Sequence, residues 1–274
     1  MQIRIRCLAL FVAVLLGAVA RADGVPRIVG HRGLLRHAPE NTLSGFGACM
    51  NLRLGFELDI RRAKDGVLVV MHDADVKRTT GAKGKVSDFT FAELRRLDAG
   101  RWFDPAFTGE RVPTLDEVFK LLKERGHAGT LVCLDIKEED ETMTGEIVAL
   151  AKKHGVLDKV VCIGLAIEGP QVRAKLRSAD AKTPVAVLAP QPEGLAKALA
   201  EKNADWVYVR HIPSVEEVKQ IHAAGKRVFL SGKLVAGNEP PVWRRAAEAG
   251  VDALLTDFPL ECQQTFRAMK ARKD

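Results

Sequence analysis

The sequence predicts a (β/α)8 TIM barrel, an α/β fold, with a small insertion after the second strand. Short β-branched apolar runs alternate with amphipathic stretches from residue 27 onward. Alternation of this kind indicates a parallel sheet covered by helices. Eight β/α units fit into the 274 residues, and about 250 residues is typical of such barrels. An open doubly wound sheet is the alternative, but no G-x-G-x-x-G pattern follows the first strand to favour it.

The strands are predicted from runs rich in Val, Ile and Leu. They cover residues 28–30, 56–60 with a companion at 67–71, 130–136, 160–165, 185–189, 206–210, 227–231 and 251–256. Helices are predicted between them, for example over 114–125, where apolar residues recur at helical spacing. Thr114 with Glu117 three residues later predicts a capping box at the start of that helix.

Residues 74–112 interrupt this rhythm. The segment is too long for a βα loop and too rich in Thr, Gly and charged residues for a barrel strand. A short helix is predicted over 91–97, capped by Thr90 with Glu93. We expect the whole segment to pack over the barrel mouth.

Residues 1–22 have the layout of a secretory signal peptide. Arg4 and Arg6 precede an apolar run that ends in small residues. An uncleaved anchor is the alternative, but the run is shorter than the roughly 20 residues that a membrane span needs. We therefore expect export to the periplasm or secretion, no stable membrane span after cleavage, and one barrel domain over 23–274.

The charge of the chain is only mildly basic. Removing residues 1–22 takes away three arginines, so the formal charge falls from +7 to +4. The remaining basic pairs are scattered, and most lie on predicted helices. Solvated helix faces explain them, so no nucleic-acid partner is expected.

The exported chain keeps Cys49, Cys133, Cys162 and Cys262, without C-x-x-C or zinc spacing. Two of them lie in predicted strands, where buried thiols are expected. Cys49 and Cys262 lie in the first and last predicted helices, which become neighbours if the barrel closes. A disulfide and two free thiols both remain open for this pair.

Acidic residues mark the predicted second strand. Alternation along FELDIRR places Glu57 and Asp59 on the same face. Two adjacent carboxylates beside an apolar row are costly unless neutralised. A hard divalent cation would neutralise them through their oxygens. An ion pair with a neighbouring basic residue is the equal alternative.

The next strand repeats this arrangement. Asp135 and Lys137 share a face at its carboxyl end, and the carboxyl ends of parallel barrel strands are where active sites form. Asp135 could therefore complete a three-carboxylate metal site with Glu57 and Asp59, and Lys137 would face the same cavity. A simple salt bridge between Asp135 and Lys137 is the alternative.

Two histidines end strands beside these carboxylates. His31 follows the first strand and His72 follows the run VLVVM. Their positions suggest a general acid and a general base. The other histidines lie in loops or on helices without such company.

The segment between the first strand and the first helix reads GHRGLLRHAPENT. Gly30 and Gly33 permit a sharp turn, and Arg32 offers a planar fork for phosphate oxygens. Asn41 is predicted to cap the following helix. Phosphoryl transfer would use all of these groups, because it needs charge stabilisation and two proton transfers.

These residues resemble the glycerophosphodiester phosphodiesterase family over essentially the whole exported chain. The matching segments are H-R-G at 31–33, P-E-N-T at 39–42, E-x-D at 57–59, D-G-x-x-V-x-x-H-D at 65–73, R-T-T at 78–80, P-T-L-x-E-V at 113–118, D-I-K at 135–137 and G-V-D-A-L-L-T-D-F-P at 250–259.

The resemblance implies specific roles. His31 and His72 would be the acid-base pair, and Glu57 and Asp59, with Asp135 at the third position, would hold Mg²⁺ or Ca²⁺. Arg32 and Lys137 would contact phosphate, with Glu40 behind them, and the products would be an alcohol and sn-glycerol 3-phosphate.

Two departures from the family pattern bear on metal and substrate. Asp135 stands where the family commonly has glutamate, and residues 228–232 replace a run that often carries tryptophan and asparagine. Two other functions therefore stay open. One is a phosphodiesterase for lysophospholipids or other phosphodiesters, with Trp102, Phe103 and Phe107 as candidate lipid contacts; the other is a non-catalytic protein that binds phosphorylated ligands.

Overall fold

The computed structural model describes residues 24–138 and 140–271. Within these ranges, nine strands form one sheet: β1 (Arg27–Gly30), β2 (Gly55–Arg62), β3 (Leu68–Val70), β4 (Val132–Ile136), β5 (Val160–Ile163), β6 (Ala186–Ala189), β7 (Trp206–Val209), β8 (Arg227–Leu230) and β9 (Ala253–Thr256). Except for β3, they pair in parallel in the order β5-β4-β2-β1-β9-β8-β7-β6. This order confirms the predicted (β/α)8 barrel.

The barrel closes between β5 and β6 through a short junction. A single bridge pairs Cys162 with Val185, and the Cys162 N–H donates to the Pro184 carbonyl at 3.1 Å. Every other neighbouring pair shares at least two register positions, and β2 and β4 share five. The sheet is therefore continuous but narrowest at this seam.

The strands form where the sequence places unbroken apolar runs, because parallel barrel strands are buried on both faces. β5 and β7 are buried along their whole length. The predicted strands are all found, with ends that differ by up to two residues. The run over 67–71 forms β3, which folds back antiparallel onto the end of β2.

Helices alternate with the strands on the outside of the barrel. They are α1 (Leu43–Asn51), α2 (Lys77–Thr80), α3 (Phe91–Leu94), α4 (Leu115–Arg125), α5 (Glu141–His154), α6 (Pro170–Ala179), α7 (Leu195–Ala200), α8 (Val215–Ala223), α9 (Lys233–Ala236), α10 (Pro240–Ala249) and α11 (Pro259–Lys270). Two short ones, α2 and α3, belong to the insertion. α4 buries Leu115, Val118, Phe119 and Leu122, as its spacing predicts.

Two helix starts test the predicted caps. Thr114 and Glu117 form the predicted capping box of α4. The predicted cap of α1 was wrong by one residue. The Gly45 N–H bonds to the Thr42 hydroxyl at 3.3 Å, so Thr42 is the cap. Asn41 instead adopts a left-handed backbone with φ 57° and turns its amide toward the barrel.

The insertion lies between β3 and α4 and has a small hydrophobic cluster of its own. Val76, Val86, Leu94 and Val112 are buried in this cluster against Val69 of β3. Thr90 and Glu93 form the predicted capping box, but α3 ends at Leu94, earlier than expected. The chain leaves the helix there and later pairs the Ala99 N–H with the Glu110 carbonyl at 2.9 Å.

Cys49, Cys133, Cys162 and Cys262 are free, buried thiols. Residues 1–22, where a signal peptide is predicted, lie outside the described residues. In the described ranges, no helix has both the length and the apolar character needed to cross a membrane.

Candidate active site

Strand register brings the three predicted carboxylates together. β2 and β4 pair Asp59 directly with Asp135, so these two side chains stand next to each other on one face. Glu57 lies two residues earlier on that face. One carboxylate oxygen from each residue lies within 4.8 Å of the others. Glu57 and Asp59 are almost fully buried, at 2% and 0% exposure.

Gly164 makes room for this cluster. It follows β5 with φ +95°, a backbone region that L-residues rarely adopt. A β-carbon at this position would overlap Asp135 Oδ1 and would lie 2.8 Å from Asp135 Cγ. Only glycine therefore lets the β5 loop pass so close to the carboxylate.

Glu57 is held by the backbone of the first loop. The Arg32 N–H donates to Glu57 Oε2 at 2.9 Å, and Arg32 reaches this position with φ 52°. Burial and the neighbouring charges of Asp59 and Asp135 raise the pKa of Glu57 well above its usual range. In the absence of a cation, the protein environment thus opposes ionisation of this carboxyl.

Asp59 has the opposite electrostatic balance. Burial disfavours its charge, but Lys137 and a hydrogen bond from Asn41 outweigh burial and lower the pKa of Asp59. The Asn41 amide donates to Asp59 Oδ2 at 2.7 Å and accepts from the Asp59 N–H at 3.3 Å. Asn41 therefore fixes both the side chain and the backbone of Asp59.

Lys137 pairs with two of the three carboxylates. Its Nζ lies 2.8 Å from Asp59 Oδ1 and 2.6 Å from Asp135 Oδ2. Burial disfavours the ammonium, but the two carboxylates outweigh this and raise the pKa of Lys137. The predicted alternatives of a salt bridge and an acidic cluster thus occur together.

His31 contacts an aspartate from the far end of the chain. Its Nδ1 lies 2.7 Å from Asp257 Oδ1. Asp257 directly follows β9, and β9 pairs with β1. Because Nδ1 faces this carboxylate, Nε2 is the ring nitrogen left to face a ligand.

His72 is held in a similar way by its neighbour. Its Nδ1 lies 2.8 Å from Asp73 Oδ1. The Arg61 guanidinium donates to the His72 carbonyl through Nε at 3.0 Å and Nη2 at 2.8 Å. Both the ring and the backbone of His72 are therefore fixed.

Arg32 and Glu40 lie between these groups. Arg32 Nη1 donates to Glu40 Oε1 at 3.0 Å, and its Nε lies 3.6 Å from Asp59 Oδ2. This Nε is buried and has no hydrogen-bond partner within the described part of the chain. Burial raises the pKa of Glu40, but Arg78 and Arg32 outweigh it, and the net shift is downward.

The donor set fits a hard divalent cation. All three groups offer carboxylate oxygens, the ligands that Mg²⁺ and Ca²⁺ prefer, and burial with mutual repulsion leaves Glu57 in need of a compensating charge. Lys137 supplies part of that charge to Asp59 and Asp135.

The polar groups described above lie at the carboxyl ends of the strands. Active sites of (β/α)8-barrel enzymes are built at this end, so the fold and the site define a protein of this class. The chain belongs to the glycerophosphoryl diester phosphodiesterase family, whose family model matches residues 31–261.

Curated relatives support this assignment over part of their length. A glycerophosphodiester phosphodiesterase from Caldanaerobacter subterraneus is 48% identical over 111 residues, covering 40% of this chain and 44% of that protein. The aligned segments span about half the length of the first curated relatives.

Solved structures match nearly the whole chain. The glycerophosphodiester phosphodiesterase from Agrobacterium tumefaciens has a TM-score of 0.75 and 27% identity, covering 89% of this chain and 100% of that one. An Oleispira antarctica phosphodiesterase in complex with the product sn-glycerol-3-phosphate has a TM-score of 0.74 and 24% identity, covering 89% and 97%. The second likeness shows the fold alone.

Four residues support the predicted groups although no sequence pattern predicted that role for them: Asn41, Asp73, Arg78 and Asp257. Asp257 had a usable signal. It follows the last strand as His31 follows the first, and these strands must be neighbours in a closed barrel.

Proposed function

We propose that this protein is a metal-dependent phosphodiesterase that hydrolyses glycerophosphodiesters to an alcohol and sn-glycerol 3-phosphate. The observation that carries the proposal is the convergence of Glu57, Asp59 and Asp135 within 4.8 Å. Family membership supports the reaction class, and the Oleispira protein of the same fold binds this product.

Glu57, Asp59 and Asp135 would hold the cation, Mg²⁺ or Ca²⁺. When bound, it would neutralise negative charge on the phosphodiester. The paired state of Lys137 supports a second role for that residue. Lys137 pairs with Asp59 and Asp135, and its ammonium would donate to a phosphate oxygen once these carboxylates are neutralised in another way.

Arg32 would bind the phosphate from the first loop. Its Nε is a donor without a hydrogen-bond partner among the described residues, and Glu40 accepts a hydrogen bond from its Nη1. Together with Lys137, Arg32 would stabilise the negative charge that grows on the phosphoryl oxygens in the transition state.

His31 and His72 would transfer the two protons. One would take a proton from the attacking hydroxyl or water, and the other would give a proton to the leaving alcohol. Asp257 and Asp73 hold the rings so that Nε2 of each can face the substrate. The departure at residues 228–232 leaves the alcohol preference to experiment.

We also propose that the protein is exported, to the periplasm or outside the cell. The charged, apolar and small-residue order of residues 1–22 supports this. The amino-terminal sequence of protein purified from cells would test it, and an intact residue 1–22 segment on protein fractionating with the cytoplasm would contradict it.

The test of activity measures release of sn-glycerol 3-phosphate from glycerophosphocholine and glycerophosphoethanolamine, first with chelator and then with Mg²⁺ or Ca²⁺. We expect activity only with metal. His31→Ala and His72→Ala should each lower kcat by about 10²- to 10⁴-fold. His37→Ala, an exposed histidine in the same loop as His31, is the matched control and should keep parental activity.

Three results would change the proposal. Faster cleavage of lysophosphatidylcholine than of glycerophosphocholine would make a lysophospholipid the substrate. Tight binding of sn-glycerol 3-phosphate without turnover of any diester would make the protein a non-catalytic binder. Parental activity in His31→Ala would remove that histidine from the mechanism.

A further inference from the structure

One side chain of the insertion reaches into the polar groups at the barrel mouth. Arg78 lies in α2, and its guanidinium makes a bidentate contact with Glu40, through Nη1 to Oε2 at 2.6 Å and Nη2 to Oε1 at 2.8 Å. Its Nε donates to Asp73 Oδ2 at 2.6 Å. All three guanidinium nitrogens of Arg78 therefore donate to these two carboxylates.

These contacts complete a chain of alternating charges across the site. Asp73 uses its other oxygen on His72 Nδ1 at 2.8 Å, and Glu40 also accepts from Arg32 Nη1 at 3.0 Å. The chain therefore runs in the order Arg32, Glu40, Arg78, Asp73, His72. It connects the loop after β1 with the end of β3, two segments that the barrel itself does not hydrogen-bond to each other.

The charges in this chain stabilise one another. The hydrogen bonds that Arg78 donates to Glu40 and Asp73 raise the pKa of Arg78. The bond to Asp73 is also the largest cause that lowers the pKa of Asp73 to about 2. Asp73 and Arg78 are partly exposed, so solvent weakens the attraction between them. The contribution of Arg78 is therefore the geometry it imposes more than the energy of the pair.

The insertion holds Arg78 in place from behind. The guanidinium carbon lies 5.9 Å from the centre of the Trp102 ring, within the range of a cation–π contact. The Trp102 indole N–H donates to the Ala99 carbonyl at 2.9 Å, and Phe103 packs edge-on against the ring at 5.8 Å. Trp102 is thereby fixed although it is 38% exposed.

We propose that Arg78 is a positioning residue for the reaction. It sets the separation of His72 and Arg32 by holding Asp73 and Glu40 on one guanidinium. The inference rests on the proposed function, in which His72 transfers a proton and Arg32 binds phosphate. It gives the insertion a defined part in catalysis, because α2 carries Arg78 and Trp102 packs against its guanidinium.

A lysine could not replace this arginine. Its ammonium is a single point of donation on a flexible stem, whereas the guanidinium is a rigid fork that addresses two carboxylates at fixed angles. Arg78→Lys should therefore retain the charge but lose most of the positioning.

The test measures kcat and KM of the metal-loaded protein on glycerophosphocholine. Arg78→Ala should lower kcat by up to about 100-fold, the effect of displacing a reacting group by roughly 1 Å, with a smaller change in KM. Arg78→Lys should recover only part of the loss. Added guanidinium at millimolar concentration should restore activity to Arg78→Ala and leave His72→Ala inactive. Arg101→Ala, an exposed arginine of the same insertion, should behave as the parent.

A double variant separates positioning from general destabilisation. If Arg78 acts through Asp73, the variant carrying both Arg78→Ala and Asp73→Asn should be no slower than the slower single variant. Additive losses with no guanidinium rescue would overturn the proposal, as would parental kcat in Arg78→Ala. A parent that releases no sn-glycerol 3-phosphate from any diester would instead refute the proposed function, and this inference with it.

Discussion

Replacing Gly164 by alanine should weaken binding of the proposed metal, although the substitution changes none of the three carboxylates. The new β-carbon would lie 2.8 Å from Asp135 Cγ, whereas non-bonded carbons prefer about 3.5 to 4.0 Å. The Asp135 carboxylate must therefore move by roughly 1 Å away from residue 164, and it leaves its position in the cluster. A displacement of this size can cost about 10²-fold in rate, and loss of ligand support typically costs about 10- to 100-fold in metal affinity.

The control is Gly155→Ala. Gly155 also has a positive φ, +68°, but a β-carbon there would meet nothing within 4 Å. Both variants should lose about 1 to 2 kcal/mol of unfolding free energy to the backbone conformation, measured by urea unfolding with chelator. Only Gly164→Ala should need about 10- to 100-fold more Mg²⁺ or Ca²⁺ for half-maximal release of sn-glycerol 3-phosphate. If Gly164→Ala kept the parental metal dependence, Asp135 would not be a metal ligand whose position depends on the space left by this glycine.

Four further substitutions test the electrostatics of the site and the start of α1. Because the pKa of Glu57 is raised in the folded protein, ionisation of this carboxyl lowers the unfolding free energy of the metal-free protein. The unfolding free energy is therefore highest below the ordinary glutamate pKa of about 4.3 and falls as pH rises through the raised pKa. Glu57→Gln should therefore melt higher than the parent at pH 8 in chelator but not at pH 4, and saturating metal should raise only the parent's melting temperature; parallel profiles would contradict this. Lys137→Ala removes the ammonium that pairs with the buried carboxylate of Asp59. The unfolding free energy of the metal-free protein should therefore fall by about 3 kcal/mol in urea at neutral pH, and added Ca²⁺ should recover most of it. An unchanged unfolding midpoint would argue against the pairing. Thr42→Ala removes the cap of α1 and should cost about 1 kcal/mol, a fall of about 2 to 4 °C in Tm, whereas Asn41→Ala should instead weaken metal-dependent activity; the reverse pattern would restore Asn41 as the cap.

The sequence predicts the barrel and the acidic cluster well because both depend on local periodicity. Alternation places Glu57 and Asp59 on one face, and the parallel connection brings Asp135 beside them. The roles of these residues stay proposals, but their convergence needed no knowledge of distant contacts. Strand ends were less well predicted, since the last residues of a strand depend on the neighbour with which they pair.

Contacts across long sequence separations were not predictable in this way. Asp257 lies 226 residues from His31, so closure of the barrel, and not local periodicity, is the signal that pairs them. Asn41 shows a second limit. Its residue type favours a helix cap and a left-handed backbone equally, and the choice was decided by the buried carboxylate of Asp59, which accepts its amide hydrogen at 2.7 Å. The insertion presents the same difficulty, because Arg78 pairs with Glu40 across 38 positions.

The narrow junction between β5 and β6 divides the molecule unequally. The portion before it carries the site residues His31, Glu57, Asp59, His72 and Asp135. In the described part of the chain, their hydrogen bonds to the portion after it are those of His31, to the Thr256 carbonyl and the Asp257 carboxylate. Transient parting of the barrel at that place would leave the β1, β2 and β4 ladders intact, so backbone amides near Cys162 should exchange with deuterium sooner than those of β2. Local opening of the sheet between β5 and β6 would thus leave the relative positions of the charged groups at the site unchanged.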